Sequence, residues 1–262
     1  MDLQLLELIF LSAKRKELLL FLREGPKTIA EIKMHLDVGA VGILPQLKKL
    51  RENSLVIKKG NVYSLSSLGI AVAGTMQSMI DLLSVFEKRY DYWSGHSVDC
   101  IPTPLRRRIG ELSNCTFSES HDSIRLFEPH REFLENIRKS KKISGISSIF
   151  HPLYPSIFLN FAKMGMNVSI LVTPPVYNRI KEEFTTEISE FNKLENASLY
   201  VCSEKIEFSY AVTDKFLSFS LPFPDGRFDY KEDVMCFDPV AIRWGEDLFS
   251  YYRDISEKIT EI

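Results

Sequence analysis

The tetrapeptide Thr28-Ile29-Ala30-Glu31 constrains this chain more than any other feature. A threonine followed three residues later by glutamate is a capping box: the hydroxyl accepts from the N3 amide and the carboxylate reaches back to the N-cap amide, so a helix starts there. Just upstream, Gly25-Pro26 stops an earlier helix, because glycine suits the left-handed C′ position and proline cannot continue. That helix contains Leu18 to Glu24 and begins after Ser12 as N-cap. Ile29, Ile32 and Leu36 then recur at helical spacing, and Asp37-Val38-Gly39 turns the chain into a third helix. Its inward positions are Ile43, Leu47 and Leu50, with Lys48, Lys49 and Arg51 outward. Two β-branched runs, Leu55 to Lys59 and Val62 to Leu65, flank Gly60-Asn61 and read as a hairpin.

Helix, capped helix, helix, hairpin is the order of a winged helix-turn-helix. Three stretches carry a resemblance to the winged-helix domains of ArsR-like and MarR-like transcriptional regulators: Thr28 to Ile32, Gln46 to Val56, and Tyr63 to Gly69. The resemblance implies double-stranded DNA, an operator, as partner. A recognition helix fits the major groove and a wing tracks the neighbouring backbone. The residues expected at DNA are Lys48, Lys49, Arg51, Lys58, Lys59 and Asn61 on phosphates, with Gln46 reading a base edge. The stretch Gly39-Ala40-Val41-Gly42-Ile43-Leu44-Pro45 is poor in hydrogen-bonding side chains, so shape and methyl contacts take a larger share of readout.

Charge supports this division. The formal net charge of the 262 residues is −2, yet residues 1–70 hold 11 Lys/Arg against 7 Asp/Glu, a balance of +4, which leaves −6 for the remainder. Phosphate neutralisation needs local positive charge, not a basic chain overall.

From Ala71 to Trp93 apolar residues return every three or four positions, which predicts a linker helix with a face to bury. A homodimer would bury it through Met76, Met79, Ile80, Leu83, Phe86 and Tyr90, matching two-fold symmetric operators. The alternative is packing on the same chain. Ser94-Gly95-His96 breaks the helix and Ile101-Pro102-Thr103-Pro104 reads as an extended connector. Arg106-Arg107-Arg108 is read as a solvated helix face near Glu111 in preference to an anion contact.

Beyond residue 120 strands and helices alternate: strands at 123–127, 143–150, 167–173 and 198–202, helices at 131–139, 154–163 and 176–192, a hairpin around Asp214-Lys215, and a closing helix from Pro239 to about Ile259. Such alternation predicts a mostly parallel α/β sheet. The resulting fold class is α+β and α/β. Residues 1–70 form the winged helix-turn-helix, 71–110 the linker and connector, and 111–262 an effector-sensing domain. Ala211 to Leu221, Asp225 to Asp229, and Ala241 to Arg253 resemble the effector domain of the archaeal methanogenesis-regulator family of winged-helix proteins. That resemblance covers nearly the whole chain and implies a transcriptional regulator. It also implies a phospholipase-D-like layout in the second domain.

No enzyme is expected. A phospholipase-D-type site needs His-x-Lys, and His35, His96, His121, His130 and His151 are followed at that position by Asp, Val, Ser, Glu and Leu. Walker, G-x-G-x-x-G and H-E-x-x-H patterns are lacking. No cofactor and no metal are expected, since no cysteine precedes Cys100 and Cys100, Cys115, Cys202 and Cys236 form no C-x-x-C pair. Scattered cysteines suit a reduced cytoplasm, with buried apolar cysteine preferred over a redox pair of Cys100 and Cys115. The apolar stretch Leu18 to Leu22 is too short for a membrane span, so no membrane partner is expected.

In open α/β sheets ligands settle at the carboxyl ends of parallel strands. This places an unknown small-molecule effector near Ser147, Ser148, His151, Thr173, Tyr177 and Asp214. The rival reading from another class is a protein-interaction scaffold whose winged helix docks protein.

Overall fold

The computed structural model describes residues 4–119 and 131–260 and divides into two compact units, Met1–Asp81 and Leu82–Ile262. In the first unit the helices are α1 (Gln4–Phe10), α2 (Ala13–Phe21), α3 (Ile29–His35), α4 (Ala40–Glu52) and α5 (Ser67–Lys88), the last of which runs on past the unit boundary. The strands are β1 (Lys27–Thr28), β2 (Val56–Lys59) and β3 (Val62–Leu65).

Local chemistry explains these elements. Ser12 accepts the Arg15 amide at the head of α2, Gly25 ends the following turn at φ +130°, and both halves of the Thr28–Glu31 capping box are made. The Thr28 side chain and amide hold the Glu31 carboxyl below its ordinary range. Thr28→Ala is expected to cost about 1 kcal/mol, as loss of an N-cap hydroxyl usually does. Urea denaturation followed by circular dichroism checks this, and an unchanged midpoint would show the box to be idle. Gly60, at φ +58°, closes the β2–β3 hairpin. The added strand β1 pairs with β3, giving a three-stranded order β1-β3-β2. Leu18, Leu19, Ile32, Ile43, Leu47, Leu50 and Leu55 meet in one core.

The linker departs from expectation. Helix α5 starts at Ser67, inside the winged helix, and stops at Lys88, and Arg89 leaves helical geometry before α6 (Tyr90–Gly95) begins. Met76 is buried in the first unit's core, and Phe86 packs against Trp93 with ring centroids 5.5 Å apart. Both are therefore taken up by their own chain, a correction to their place in a dimer face. Met79, Leu83 and Tyr90 are exposed, and Ile80 is half-buried. By length and composition α5 is apolar enough to cross a membrane, with a mean hydropathy of 1.5 over its most apolar window. It is nevertheless built into the folded unit, burying Ala73 and Met76 and bonding Gln77 to Asp81 at 2.7 Å.

The second unit continues with α7 (Thr103–Arg106), which replaces the expected extended connector because Pro104 sits in a first turn where no amide is needed. Next come β4 (Thr116–Glu119), α8 (Arg131–Arg138), β5 (Lys142–Ser147), α9 (Tyr154–Lys163), β6 (Asn167–Val172), α10 (Pro174–Glu183), α11 (Thr185–Asn192) and β7 (Ala197–Val201). β8 (Ser209–Thr213), β9 (Leu217–Ser220), β10 (Glu232–Cys236), α12 (Pro239–Arg253) and β11 (Glu257–Ile259) complete it. The strand expected at 123–127 lies outside the described residues. The helix expected over 176–192 is two helices divided at Phe184, and the closing helix ends at Arg253, where the chain enters β11.

Among the described residues one sheet holds eight strands in the order β11-β7-β6-β5-β8-β9-β10-β4. Its α/β half follows expectation: β5, β6 and β7 are parallel. The expectation of a mostly parallel sheet needs correcting for the rest, because β8, β9, β10 and β4 add antiparallel to one side and β11 antiparallel to the other. Only β8 and β9 are joined by a short turn, and hairpin-linked neighbours pair antiparallel; β4, β10 and β11 reach their partners from distant parts of the chain. Trp244, Leu248 and Tyr252 of α12 lie buried with Leu217 and Phe219 on one side, while Phe161, Val168, Ile188 and Phe191 form a second core. Cys115 and Cys236 stand opposite each other where β4 meets β10 and form a disulfide, a correction both to the expectation of buried apolar cysteines at these two positions and to the Cys100–Cys115 alternative. Cys202 is buried, and burial, with Glu207 adding, pushes the Cys100 thiol up to about 12.

Candidate functional site

Helix α4 and the β2–β3 hairpin bring together most of the residues expected at nucleic acid. Lys48, Lys49, Arg51, Lys58, Lys59 and Asn61 are all exposed. Lys48 approaches Glu52 at 3.8 Å, but with both side chains mostly in solvent such a pair holds its partners weakly. Gln46 is half-buried, and its Oε1 accepts from Arg15 at 2.7 Å, so its carbonyl oxygen is engaged within the unit. The face of α4 open to solvent carries Val41, 91% exposed, and Leu44, 47% exposed, one turn before Lys48.

Two members of the arginine run, Arg106 and Arg108, are held in ion pairs, while Arg107 is exposed. Arg108 joins Glu111 at 2.8 Å and Asp247 at 2.7 Å, Arg106 joins Asp99, and the Arg108 partners raise its pKa further.

In the second unit a cavity of about 240 Å³ opens over the sheet. Its floor follows from strand register. Ser147 and Gly145 on β5, Ala211 and Ser209 on β8, and Ser218 and Ser220 on β9 share one face, because Gly145 pairs with Ala211, Ala211 with Ser218, and Ser209 with Ser220. Small side chains on three adjacent strands leave the depression, and Phe133, Phe150, Tyr154, Phe158, Phe228 and Tyr230 wall it. Asp229 and Asp233 also line it, and no Lys or Arg does among the described residues. Burial, with Asp233 adding, pushes the Tyr154 hydroxyl up to about 12. Asp233 accepts from Ser220.

Asp229 has a second engagement that sequence reading missed. Its Oδ2 lies 3.0 Å from His96 Nε2 and its Oδ1 accepts the Lys231 amide at 2.7 Å. His96 Nδ1 faces the Tyr92 carbonyl at 2.7 Å, and its ring stacks between Tyr92 and Phe223. Both ring nitrogens are thus within hydrogen-bond distance of oxygen, and the contact is shielded from solvent. The partners are 133 residues apart in sequence, so no local pattern announces them.

Of the six residues expected around an effector, Ser147 and His151 line the cavity. His151 also caps the turn into α9, its Nδ1 accepting the Leu153 amide at 3.2 Å, and it stacks on Tyr154. Ser148, Thr173, Tyr177 and Asp214 are not among the lining residues. Thr173 is the buried N-cap of α10, and Tyr177 packs in the second core. Asp214 sits at the opposite end of β5, where, against its own burial, the amides of Lys141 and Lys142 hold its carboxyl below the ordinary range. A second, apolar chamber of about 60 Å³ shares Ser147, Phe150, His151, Tyr154 and Phe158 and continues to Val176, Ile188, Phe191 and Leu199. No group of three or more potential metal ligands occurs among the described residues.

Comparison with known proteins gives consistent matches. The family described as methanogenesis regulatory protein FilR1, N-terminal domain, matches residues 3–84, and FilR1, middle domain, matches residues 126–255. The curated methanogenesis regulatory protein FilR1 of Methanothrix harundinacea is 24% identical over 258 residues, 97% of this chain. The chain spans 58% of that relative's length. Among solved structures it is similar to TrmBL2, described as an archaeal chromatin protein with a novel mode of DNA binding (16% identical, 98% of each chain covered, TM-score 0.45). It is also similar to NucT from Helicobacter pylori (12% identical, 55% of this chain and 99% of that one, TM-score 0.43).

Proposed function

The chain belongs to the family of methanogenesis regulatory protein FilR1, and from that membership we propose that it is a DNA-binding transcriptional regulator acting in the cytoplasm. The observation that carries the DNA reading is the set of exposed cations on α4 and the hairpin, Lys48, Lys49, Arg51, Lys58 and Lys59, held on a winged helix whose helices are fixed by its own capping box. Lysines on a recognition helix and a wing hold phosphates, while Val41 and Leu44 offer methyl groups to thymine in the major groove. The regulator works as a homodimer through the exposed part of α5, Met79 and Leu83 with Ile80, and through Tyr90 at the start of α6. A small molecule bound in the second unit shifts the equilibrium between DNA-binding arrangements, insofar as it prefers one of them. It is read as a regulator and not as an enzyme, since the His-x-Lys pair of phospholipase D chemistry is lacking from the sequence.

The combined variant Lys48→Glu, Lys58→Glu tests this on DNA upstream of the chain's own gene. Affinity is expected to fall at least tenfold, and the dependence of log K on log salt to flatten by about two, roughly one per lost phosphate contact. Unchanged affinity, measured by fluorescence anisotropy, would overturn the reading. The 91% exposure of Val41 favours a second reading, docking of a protein partner on the same face. Binding that is insensitive to salt would select it.

A further inference from the structure

We propose that Cys115 and Cys236 form a reversible thiol–disulfide exchange site, closed by a low-molecular-weight disulfide and opened by the corresponding thiol. This rests on the cytoplasmic reading above, because the disulfides that form in a reducing compartment are usually transient, catalytic or redox-sensing.

The backbone sets the pair before any sulfur chemistry. β4 and β10 are antiparallel, with Glu119 opposite Glu232 and Thr116 opposite Met235, and one further step of that register puts Cys115 opposite Cys236. Their Cα atoms are 4.3 Å apart, close to the ~4.5 Å of directly opposed antiparallel residues. Contacts on both sides of the bond hold this register without it. Thr116 Oγ1 donates to the Met235 carbonyl at 3.2 Å, and Asn114 Nδ2 donates to Asp238 Oδ2 at 2.7 Å. The thiols of the opened form therefore stay face to face, ready to close again.

Access is one-sided. Cys115 is half-buried and Cys236 fully buried, so an external sulfur meets Cys115 first. In reduction a thiolate attacks the Cys115 sulfur, the bond to Cys236 breaks, and Cys236 leaves as a thiolate that takes up a proton. A second thiolate attacks the external sulfur of the mixed disulfide and releases Cys115, which is protonated in turn. Two small thiols thus become one small disulfide, and their two protons and two electrons pass to the protein; oxidation is the reverse. The other two cysteines stay out of this exchange, since the thiolate is the reactive form: burial pushes the Cys100 thiol up to about 12, and Cys202 is buried. The bond joins residues 121 apart in sequence, so opening it releases a long constraint on the unfolded chain, and the Leu82–Ile262 unit is expected to melt about 10 °C lower when reduced.

The full chain equilibrated in reduced or oxidised glutathione tests the assignment, with free thiols alkylated and counted by mass and melting followed by tryptophan fluorescence. Reduced glutathione without denaturant is expected to free both cysteines and oxidised glutathione to close them again, with the tryptophan transition following the bond in both directions. Cys236→Ser is expected to retain one glutathione on Cys115, and Cys115→Ser none on Cys236. A bond that opens only in denaturant overturns the exchange site and makes the disulfide a permanent one. Thiols that stay free in oxidised glutathione, or a glutathione that persists on Cys115 of the unaltered chain, overturn the pairing. Glutathione on Cys236 in Cys115→Ser overturns the order of attack, and a melting midpoint indifferent to the bond overturns its hold on the unit. Alkylation in acid-quenched cells expressing the chain separates site from compartment: a bond that cycles in the purified chain yet is closed in all unstressed cells overturns the cytoplasmic reading and leaves the exchange site standing.

Discussion

Replacing Asp229 with alanine is expected to destabilise the Leu82–Ile262 unit by about 2–5 kcal/mol, since two buried groups, His96 Nε2 and the Lys231 amide, each lose a partner at a cost of about 1–3 kcal/mol. The His96 and Asp229 side chains are 5% and 6% exposed, so solvent screens little of their interaction. Alanine leaves His96 Nε2 facing nothing, and the Lys231 amide loses its 2.7 Å acceptor. It also releases the 222–231 segment from α6, since His96 is the ring held between Tyr92 and Phe223. Asp229→Asn is the informative companion. Asparagine keeps the Lys231 acceptor and can donate to an Nε2 lone pair while Nδ1–H still donates to the Tyr92 carbonyl, so more than half of the loss should be recovered. Both tryptophans, Trp93 and Trp244, lie in this unit, so urea denaturation followed by their fluorescence reads it alone. If the alanine variant unfolds at the wild-type midpoint, the pair contributes nothing and its apparent burial is irrelevant to stability.

This pair also marks where sequence reading stops. The Thr28–Glu31 box, the stop at Gly25, the α4 core positions and the Gly60 turn were all legible because each depends on neighbours within a few residues. The parallel strands β5, β6 and β7 were legible for a related reason, as β5 and β6 are each followed by a helix and β7 follows one. What escaped is non-local. The two residues of β1 are a strand only because β3 lies beside them, and β4 and β10 meet across more than a hundred residues, carrying Cys115 to Cys236. The bond to the Gln46 carbonyl from Arg15, 31 residues earlier, was likewise beyond a reading by position on α4. Asp214 failed to reach the cavity for a topological reason: β8 runs antiparallel to β5, so the end of β8 lies at the start of β5 and away from Ser147. Ser147 and His151 did reach it because the carboxyl end of a parallel strand was correctly located from pattern alone.

Two glycines of α5 are expected to respond to alanine with opposite signs. In a helix interior glycine is normally worse than alanine by about 1 kcal/mol, so Gly74→Ala, with nothing within 4 Å of its new Cβ, should stabilise by up to that amount. Gly69→Ala should instead destabilise the Met1–Asp81 unit by about 3 kcal/mol, at the upper end of overpacking costs. Its Cβ would stand 2.0 Å from the Leu55 carbonyl oxygen and 3.3 Å from Leu65 Cδ2. The oxygen belongs to backbone and cannot swing away: it already accepts the Ser66 amide at 3.0 Å, and Leu55 is wholly buried. Nor can α5 retreat cheaply, because Gly69 donates at 2.9 Å to Ser66 Oγ, which in turn donates to the Ser54 carbonyl at 2.5 Å. The close approach of Gly69 to Leu55 therefore fixes how the long helix leaves the wing. The first unit contains no tryptophan, so Gly69→Ala should move the denaturation midpoint by circular dichroism and leave the tryptophan transition in place. Should both alanine variants raise stability, helix propensity alone would govern α5 and the contact with Leu55 would have no energetic weight.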